Sequence, residues 1–296
     1  MKSLIQKLLF ITCALGACAL GALTAPAQAK EAGAPNLRSG IALIYDEAGQ
    51  RPLYAKGADT VAPIASITKL MTAMVVLDAH QPLDEKITLT REDEDHYKLS
   101  RSRMRRGMTL TRSDLLKLAL LASENRAAAA LARTYPGGTA SVVALMNAKA
   151  HALGMNDSHF VDPTGLHSDN VSTAQDLVKL VLAAQGYEEI HRATTTSMHS
   201  VDVGNSRQMH FRNTNPLVRN ASWEIGLSKT GYISEAGRCL VMEARINQRP
   251  VVIVLLDSWG KHTRVGDANR VKHWMENIPL QAAPPVQTET LARTDT

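Results

Sequence analysis

The chain has few of the residues that define several common classes of protein. Its three cysteines are Cys13, Cys18 and Cys239, and the first two lie in a predicted leader, so no intramolecular disulfide is expected afterwards. Aromatic residues make up only 4% of the sequence, which offers no stacking platform for nucleic-acid bases. The ten histidines form no His-Glu-x-x-His zinc motif, and no Gly-x-Ser-x-Gly elbow is present. We therefore expect an apolar core, no metal or other cofactor and no nucleic-acid partner.

Residues 1–29 have the pattern of a secretion signal. Lys2 and Lys7 precede the apolar run 8–23, and Ala27-Gln28-Ala29 forms a small-x-small cleavage site. The alternative, a transmembrane anchor, is disfavoured because the run is short. Removal of the two lysines lowers the formal net charge from +5 to +3, too little for a nucleic-acid binder. The sequence predicts cleavage after Ala29, export to the periplasm and no integral membrane segment afterwards.

Strand patterns lie at both ends of the remaining chain and helical patterns lie between them. Five strands are predicted, the first two as a hairpin, at 40–46, 52–56, 227–233, 239–246 and 251–258. Helices are predicted at 64–79, 115–121, 126–133, 140–153, 173–184 and 264–276. This order predicts an α+β fold in which the hairpin joins the late strands in one antiparallel five-stranded sheet flanked by helices.

The sequence also predicts how the chain divides. One domain is expected at 30–278, with a mostly helical subdomain at about 80–185. Residues 279–296 are polar and have no apolar period, so they are predicted to form a disordered tail.

Ser66 and Lys69 form a Ser-x-x-Lys pair near the start of the first long helix. Residues three apart share a helix face, so the lysine amine can reach the serine hydroxyl. A lysine acts as a base only when neutral, and apolar neighbours such as Ile67 and Leu70 would lower its pKa from about 10.4. The pair predicts an activated serine nucleophile. The alternative is a helix-capping serine beside a solvated lysine.

Two segments match a Ser-x-Asn pattern. Ser123-Glu124-Asn125 lies between the predicted helices 115–121 and 126–133, so it can point from an interhelical loop into a cleft. Ser168-Asp169-Asn170 follows the turn-rich segment 162–166 and is typical of a helix-capping region. A loop cap is the structural alternative for either segment. The position between two predicted helices favours Ser123-Glu124-Asn125 as the functional segment.

Lys229-Thr230-Gly231 lies within the predicted strand 227–233. The lysine would add positive charge beside Ser66 and Lys69 and help to keep Lys69 neutral. The glycine would allow a peptide backbone to approach the strand edge closely. The alternative is a strand with a glycine bulge and an exposed lysine.

In this order, Ser-x-x-Lys, Ser-x-Asn and Lys-Thr-Gly resemble the motifs of the low-molecular-mass penicillin-binding proteins, which are serine DD-peptidases. The resemblance extends over about 40–277 and implies a β-lactamase/DD-peptidase-like fold. In that family the Ser-x-Asn loop belongs to the helical subdomain and precedes a segment like 160–166, an order that only Ser123 and Asn125 meet.

The resemblance implies a role for each motif residue. Ser66 would be the nucleophile, Lys69 the base and Ser123 the relay that protonates the leaving amine. Asn125 would hold a substrate amide. On the strand, Lys229 supplies charge, Thr230 binds the peptide carboxylate, Gly231 admits the substrate, and the N–H of Tyr232 completes an oxyanion hole with that of Ser66.

The expected activity is hydrolysis of peptide cross-links in peptidoglycan by a D-alanyl-D-alanine endopeptidase. This preference follows from the resemblance of 71–78 and 123–129, while a D-alanyl-D-alanine carboxypeptidase remains open. A β-lactamase is disfavoured because no Glu-x-x-x-Asn segment lies where its deacylating base is expected. A non-catalytic wall-binding module is disfavoured because no motif residue is lost. β-Lactam antibiotics are expected to inhibit by acylating Ser66.

Overall fold

The computed structural model of the protein describes residues 33–204, 207–277 and 287–289. The predicted signal sequence, 1–29, lies outside these residues. So does the predicted tail, 279–296, except for the three residues that form a strand. The predicted limits of the domain and of its helical subdomain remain predictions.

The described chain contains twelve strands and seven α-helices. The strands are β1 (Ile41–Asp46), β2 (Arg51–Lys56), β3 (Ala62–Pro63), β4 (Lys86–Thr88), β5 (Thr109–Thr111), β6 (Val171–Ser172), β7 (Met198–Asp202), β8 (Gln208–Arg212), β9 (Glu224–Ile233), β10 (Gly237–Ile246), β11 (Arg249–Ser258) and β12 (Gln287–Glu289). The helices are α1 (Thr68–Asp78), α2 (Arg112–Leu121), α3 (Asn125–Arg133), α4 (Gly138–Ala152), α5 (Ala174–Ala184), α6 (Glu188–Thr195) and α7 (Thr263–Glu276). Short 3₁₀ turns occupy Ala65–Ile67, Arg91–Asp93 and Pro216–Arg219.

The main sheet has the order β12-β2-β1-β11-β10-β9. Its five predicted strands are antiparallel, and β1 joins the late strands by pairing with β11, from Ile41↔Leu256 to Asp46↔Val251. The predicted α+β fold with a five-stranded antiparallel sheet is therefore confirmed. The additional strand β12 pairs parallel with β2. Strand β9 lies at the opposite edge.

Both faces of this sheet are buried. On β11, Val252 and Leu256 belong to a core cluster that includes helices α1 to α5, whereas Ile253 and Leu255 pack in a second cluster with Val271 of α7. Alternate residues of a strand point to opposite faces, so a strand covered on both sides is apolar throughout. Burial of each such side chain contributes about 1.5–3 kcal/mol. The result is a three-layer arrangement that fixes the position of the edge strand β9.

Helix α1 lies inside the helical layer. The predicted helix 64–79 is observed as the 3₁₀ turn Ala65–Ile67 followed by α1, whose residues from Thr68 to Val76 are buried. Ser66 thus lies in the turn and Lys69 in the first helical turn. Within the described ranges, no helix is long and apolar enough to cross a membrane.

The sequence patterns missed several short elements. Strands β7 and β8 form a hairpin whose mostly exposed residues bury only Val201 and Phe211, so they lack a clear apolar alternation. Helix α6 has only eight residues, and the sequence analysis predicted no helix there. Helix α2 begins three residues before its predicted start, because Thr111 caps it by accepting a hydrogen bond from the N–H of Asp114.

Candidate active site

Three elements meet at the free edge of β9. The 3₁₀ turn carries Ser66, the loop between α2 and α3 carries Ser123, and β9 carries Lys229-Thr230-Gly231. A Cβ atom at Gly231 would lie 2.9 Å from the carbonyl oxygen of Ile64 and 3.1 Å from the nitrogen of Ser66. Only glycine lets the strand approach the turn this closely. All three sequence motifs therefore converge on one site.

The Lys69 amine lies beside the Ser66 hydroxyl. Its Nζ is 2.9 Å from Ser66 Oγ, 2.7 Å from Asn125 Oδ1 and 2.6 Å from the Thr164 carbonyl oxygen. The side chain is only 1% exposed. Burial lowers the pKa of Lys69 to about 7, although Asp162 and Glu124 act in the opposite direction. Near neutral pH, a large fraction of this lysine is therefore an amine.

These contacts also orient the lone pair of that amine. A neutral lysine has two N–H bonds and one lone pair. Asn125 Oδ1 and the carbonyl oxygen of Thr164 can only accept hydrogen bonds, so they take both N–H bonds. The lone pair is left for the hydroxyl hydrogen of Ser66. The arrangement can therefore withdraw a proton from Ser66.

Lys229 joins β9 to the interhelical loop. Its Nζ donates to Ser123 Oγ at 2.9 Å and to the Thr230 carbonyl oxygen at 2.8 Å. Ser123 has a positive φ of 58°, an uncommon conformation for this residue type, which is typical of functional sites. Burial, followed by the charges of Lys69 and Arg264, holds the pKa of Lys229 well below its usual range. Repulsion between the two buried lysines disfavours a state in which both are charged.

Tyr232 follows Gly231 on the same strand. Its side chain is 56% exposed, and the guanidinium of Arg238 lies 4.5 Å from the centre of its ring. The predicted role of Tyr232 requires only its backbone N–H and stays a prediction.

Several residues of the site were missed by sequence reasoning. Ser100 Oγ accepts from Asn125 Nδ2 at 2.9 Å, and Thr230 Oγ1 donates to Thr214 Oγ1 at 2.6 Å. Arg264 Nη1 donates to the carbonyl oxygen of Gly231 at 2.7 Å, and burial lowers the pKa of Arg264 to about 10. None of these residues has a local motif. The Thr164 carbonyl lies in the turn-rich segment 162–166, which the sequence did reveal. Its contact with Lys69 could not be predicted, because the two residues are 95 positions apart.

The second Ser-x-Asn segment has a structural role. Asn170 is fully buried, and its amide donates to Asp162 Oδ2 at 2.5 Å and to the His167 carbonyl oxygen at 3.0 Å. It thereby holds the loop that presents Thr164 to Lys69. In the same loop Gly165 has a φ of +78°, and a side chain there would overlap the carbonyl oxygen of Ala65.

The described part of the chain contains one cysteine, Cys239. Cys239 is fully buried, and burial raises the pKa of its thiol to about 12, so it is not a nucleophile. No group of three or more His, Cys, Asp or Glu side chains that could hold a metal ion occurs among the described residues.

Known proteins resemble the chain over most of its length. The D-alanyl-D-alanine carboxypeptidase family matches residues 28–260. A D-alanyl-D-alanine endopeptidase of Pseudomonas aeruginosa is 48% identical over 84% of this chain and 80% of its own, and one of Escherichia coli is 46% identical over 89% and 85%. Penicillin-binding protein D2 of Listeria monocytogenes, solved with ampicillin bound, matches with a TM-score of 0.70 and 31% identity, over 80% of this chain and 97% of that one. The predicted family is confirmed: the chain belongs to the D-alanyl-D-alanine carboxypeptidase family of serine peptidases.

Proposed function

We propose that the protein is a D-alanyl-D-alanine endopeptidase that hydrolyses peptide cross-links of peptidoglycan through an acyl-enzyme on Ser66. The position of the Lys69 amine carries the proposal: its Nζ lies 2.9 Å from Ser66 Oγ, and in the neutral amine the two acceptors Asn125 Oδ1 and the Thr164 carbonyl leave the lone pair for Ser66. The two relatives named D-alanyl-D-alanine endopeptidase support the choice of bond. A carboxypeptidase is the second candidate, because the family description names that activity.

In the first step, neutral Lys69 accepts the hydroxyl proton of Ser66 while Ser66 Oγ attacks the carbonyl carbon of a D-alanine residue. The N–H groups of Ser66 and Tyr232 would stabilise the oxyanion that forms. The close approach of the turn to β9 at Gly231 supports this pairing, because it brings the two segments into van der Waals contact.

In the second step, the tetrahedral intermediate collapses and the C–N bond breaks. Ser123 donates its hydroxyl proton to the leaving nitrogen and regains one from Lys229, whose Nζ lies 2.9 Å from Ser123 Oγ. The lowered pKa of Lys229 makes its ammonium a stronger acid than an ordinary lysine. Thr230 would bind the carboxylate of the leaving residue. Asn125 would hold a substrate amide.

Water completes the reaction by attacking the acyl-enzyme. The proton that water loses passes through Ser123 to Lys229, which regains the proton that it gave in the second step. Lys69 returns its proton to Ser66 Oγ as that oxygen leaves, and the peptide is released as a free acid. A β-lactam would acylate Ser66 in the same way, as supported by the related protein with ampicillin bound. We place this reaction in the periplasm, after removal of 1–29.

The test is the mass of the products formed from a purified 4,3-cross-linked muropeptide dimer. The wild type should convert the dimer to monomers, and Ser66→Ala should leave it intact. Loss of D-alanine from pentapeptides without cleavage of the dimer would instead establish a carboxypeptidase. No change in either substrate would refute both activities.

A further inference from the structure

A cavity lies beside the Ser-x-Asn loop. It has a volume of about 640 Å³ and lies between the segment 101–103, the loop around Ser123 and strand β8. Its lining includes Arg101, Arg103 and Arg212. Arg101 and Arg103 belong to the arginine-rich run 101–106. The catalytic steps above use neither this run nor the cavity.

One arginine is fixed in the wall of this cavity. The guanidinium carbon of Arg103 lies 4.4 Å from the centre of the Phe211 ring, and its Nη2 donates to the His210 carbonyl oxygen at 2.7 Å. Phe211 is itself buried. A guanidinium held by a ring and a carbonyl loses little side-chain freedom when it binds an anion.

The other two arginines have no partner of opposite charge. Arg101 and Arg212 are exposed, and neither forms an ion pair with any carboxylate of the described residues. One carboxylate, Glu124, faces the cavity, but Ser102 Oγ donates to it at 2.8 Å. Three arginines and a single, already hydrogen-bonded carboxylate therefore line the cavity, and its lining has a net positive charge.

The position of the cavity relates it to the leaving group. Ala122 and Glu124, which line it, flank Ser123, the proposed proton donor to the leaving nitrogen. Strand β8 ends at Arg212, two residues before Thr214, whose hydroxyl contacts that of Thr230 at 2.6 Å. The cavity thus adjoins the part of the site that holds Ser123 and Thr230, the two residues proposed to contact the leaving group.

We propose that this cavity binds carboxylates of the leaving stem peptide of a cross-linked substrate. The inference rests on the proposed endopeptidase function. A free D-alanine carries a single carboxylate, which Thr230 would occupy, and extends no further. The leaving group of a cross-link is a diamino acid that continues into a second peptide with additional carboxylates. Arginine side chains bind carboxylates by paired, charge-assisted hydrogen bonds. The cavity would therefore favour cross-links over pentapeptides.

The experiment compares kcat/KM for a 4,3-cross-linked dimer, for the same dimer with the free carboxylates of its leaving stem amidated except that of the diamino acid at the cleaved bond, and for a pentapeptide. The variant is Arg101→Gln/Arg212→Gln. Its matched control is Arg105→Gln/Arg207→Gln, which removes two exposed arginines from the same segments but outside the cavity lining. Labelling of Ser66 by fluorescent penicillin checks that each variant is folded.

We expect the ratio of dimer to pentapeptide kcat/KM to fall about tenfold in the variant, through KM, equivalent to about 1.4 kcal/mol. The control should keep the wild-type ratio, and amidation should lower the ratio for the wild type but not for the variant. A wild type that cuts the dimer with a ratio unaffected by the variant or by amidation would overturn the inference and leave the endopeptidase intact. A wild type that is labelled by penicillin but never cuts the dimer would overturn the proposed function and this inference with it.

Discussion

Lys69 must be neutral to accept a proton from Ser66, so the acylation rate should follow its neutral fraction. With a pKa of about 7, that fraction is about 0.1 at pH 6 and about 0.9 at pH 8. The rate should rise about tenfold between these values and then level off. A lysine at its ordinary pKa would give a rise of about 100-fold over the same interval, with no plateau below pH 10.

The assay is the initial rate of Ser66 labelling by fluorescent penicillin from pH 5.5 to pH 9.5. Lys69→Arg should abolish labelling at every pH, because a guanidinium is not deprotonated. Lys179→Arg is the control, since Lys179 forms an ion pair with Asp176 at 2.8 Å, away from the site, and should keep the wild-type profile. A wild-type rate that still rises tenfold per pH unit between pH 7.5 and pH 9 would refute the assignment of a buried, low-pKa base.

The same pKa predicts how folding depends on pH. The folded-state pKa of Lys69, about 7, lies below that of the unfolded chain, so the unfolded state binds more protons between pH 7 and about pH 10.5. Stability should therefore rise with pH through this window. Between pH 7 and pH 9.5 the wild type should gain about 3 kcal/mol relative to Lys69→Met, measured by urea unfolding. If the free energy of unfolding depended on pH in the same way in both proteins, a folded-state pKa of Lys69 near 7 would be contradicted.

Three further substitutions test contacts around the site. Ser100→Ala removes the acceptor of Asn125 Nδ2, so penicillin acylation should slow about fivefold, and a change below twofold would show that Asn125 needs no such support. Gly231→Ala would place a methyl group 2.9 Å from a backbone oxygen, so acylation should fall about 100-fold, and near-normal labelling would show that the strand can move away. Lys98→Ala breaks the partly exposed ion pair with Glu235, so the urea midpoint should stay within experimental error of the wild type, and a clear fall would reveal a structural role.

The sequence predicted those parts of the fold whose burial leaves a regular pattern of apolar residues. Strand β11 is apolar from Val251 to Leu256 because both faces of the sheet are covered there, and the predicted limits of the three late strands agree with β9 to β11 within three residues. Hairpin β7–β8 could not be found this way. Each of its strands buries one side chain, so its position depends on contacts with α2 rather than on a periodic pattern.

In the candidate site, too, some contacts join residues that are close in sequence and others join residues that are far apart. Ser66 and Lys69 are three residues apart, so a helix places them together wherever it lies. The acceptors that turn the lone pair of Lys69 toward Ser66 come from Asn125 and Thr164, 56 and 95 residues away, and one of them is a backbone carbonyl that any residue type could supply. A motif can therefore identify the base, but the protonation state that makes it a base depends on burial and on acceptors that only the fold assembles. For this reason the pH profile of acylation tests the three-dimensional site, whereas loss of activity in Ser66→Ala tests only the motif.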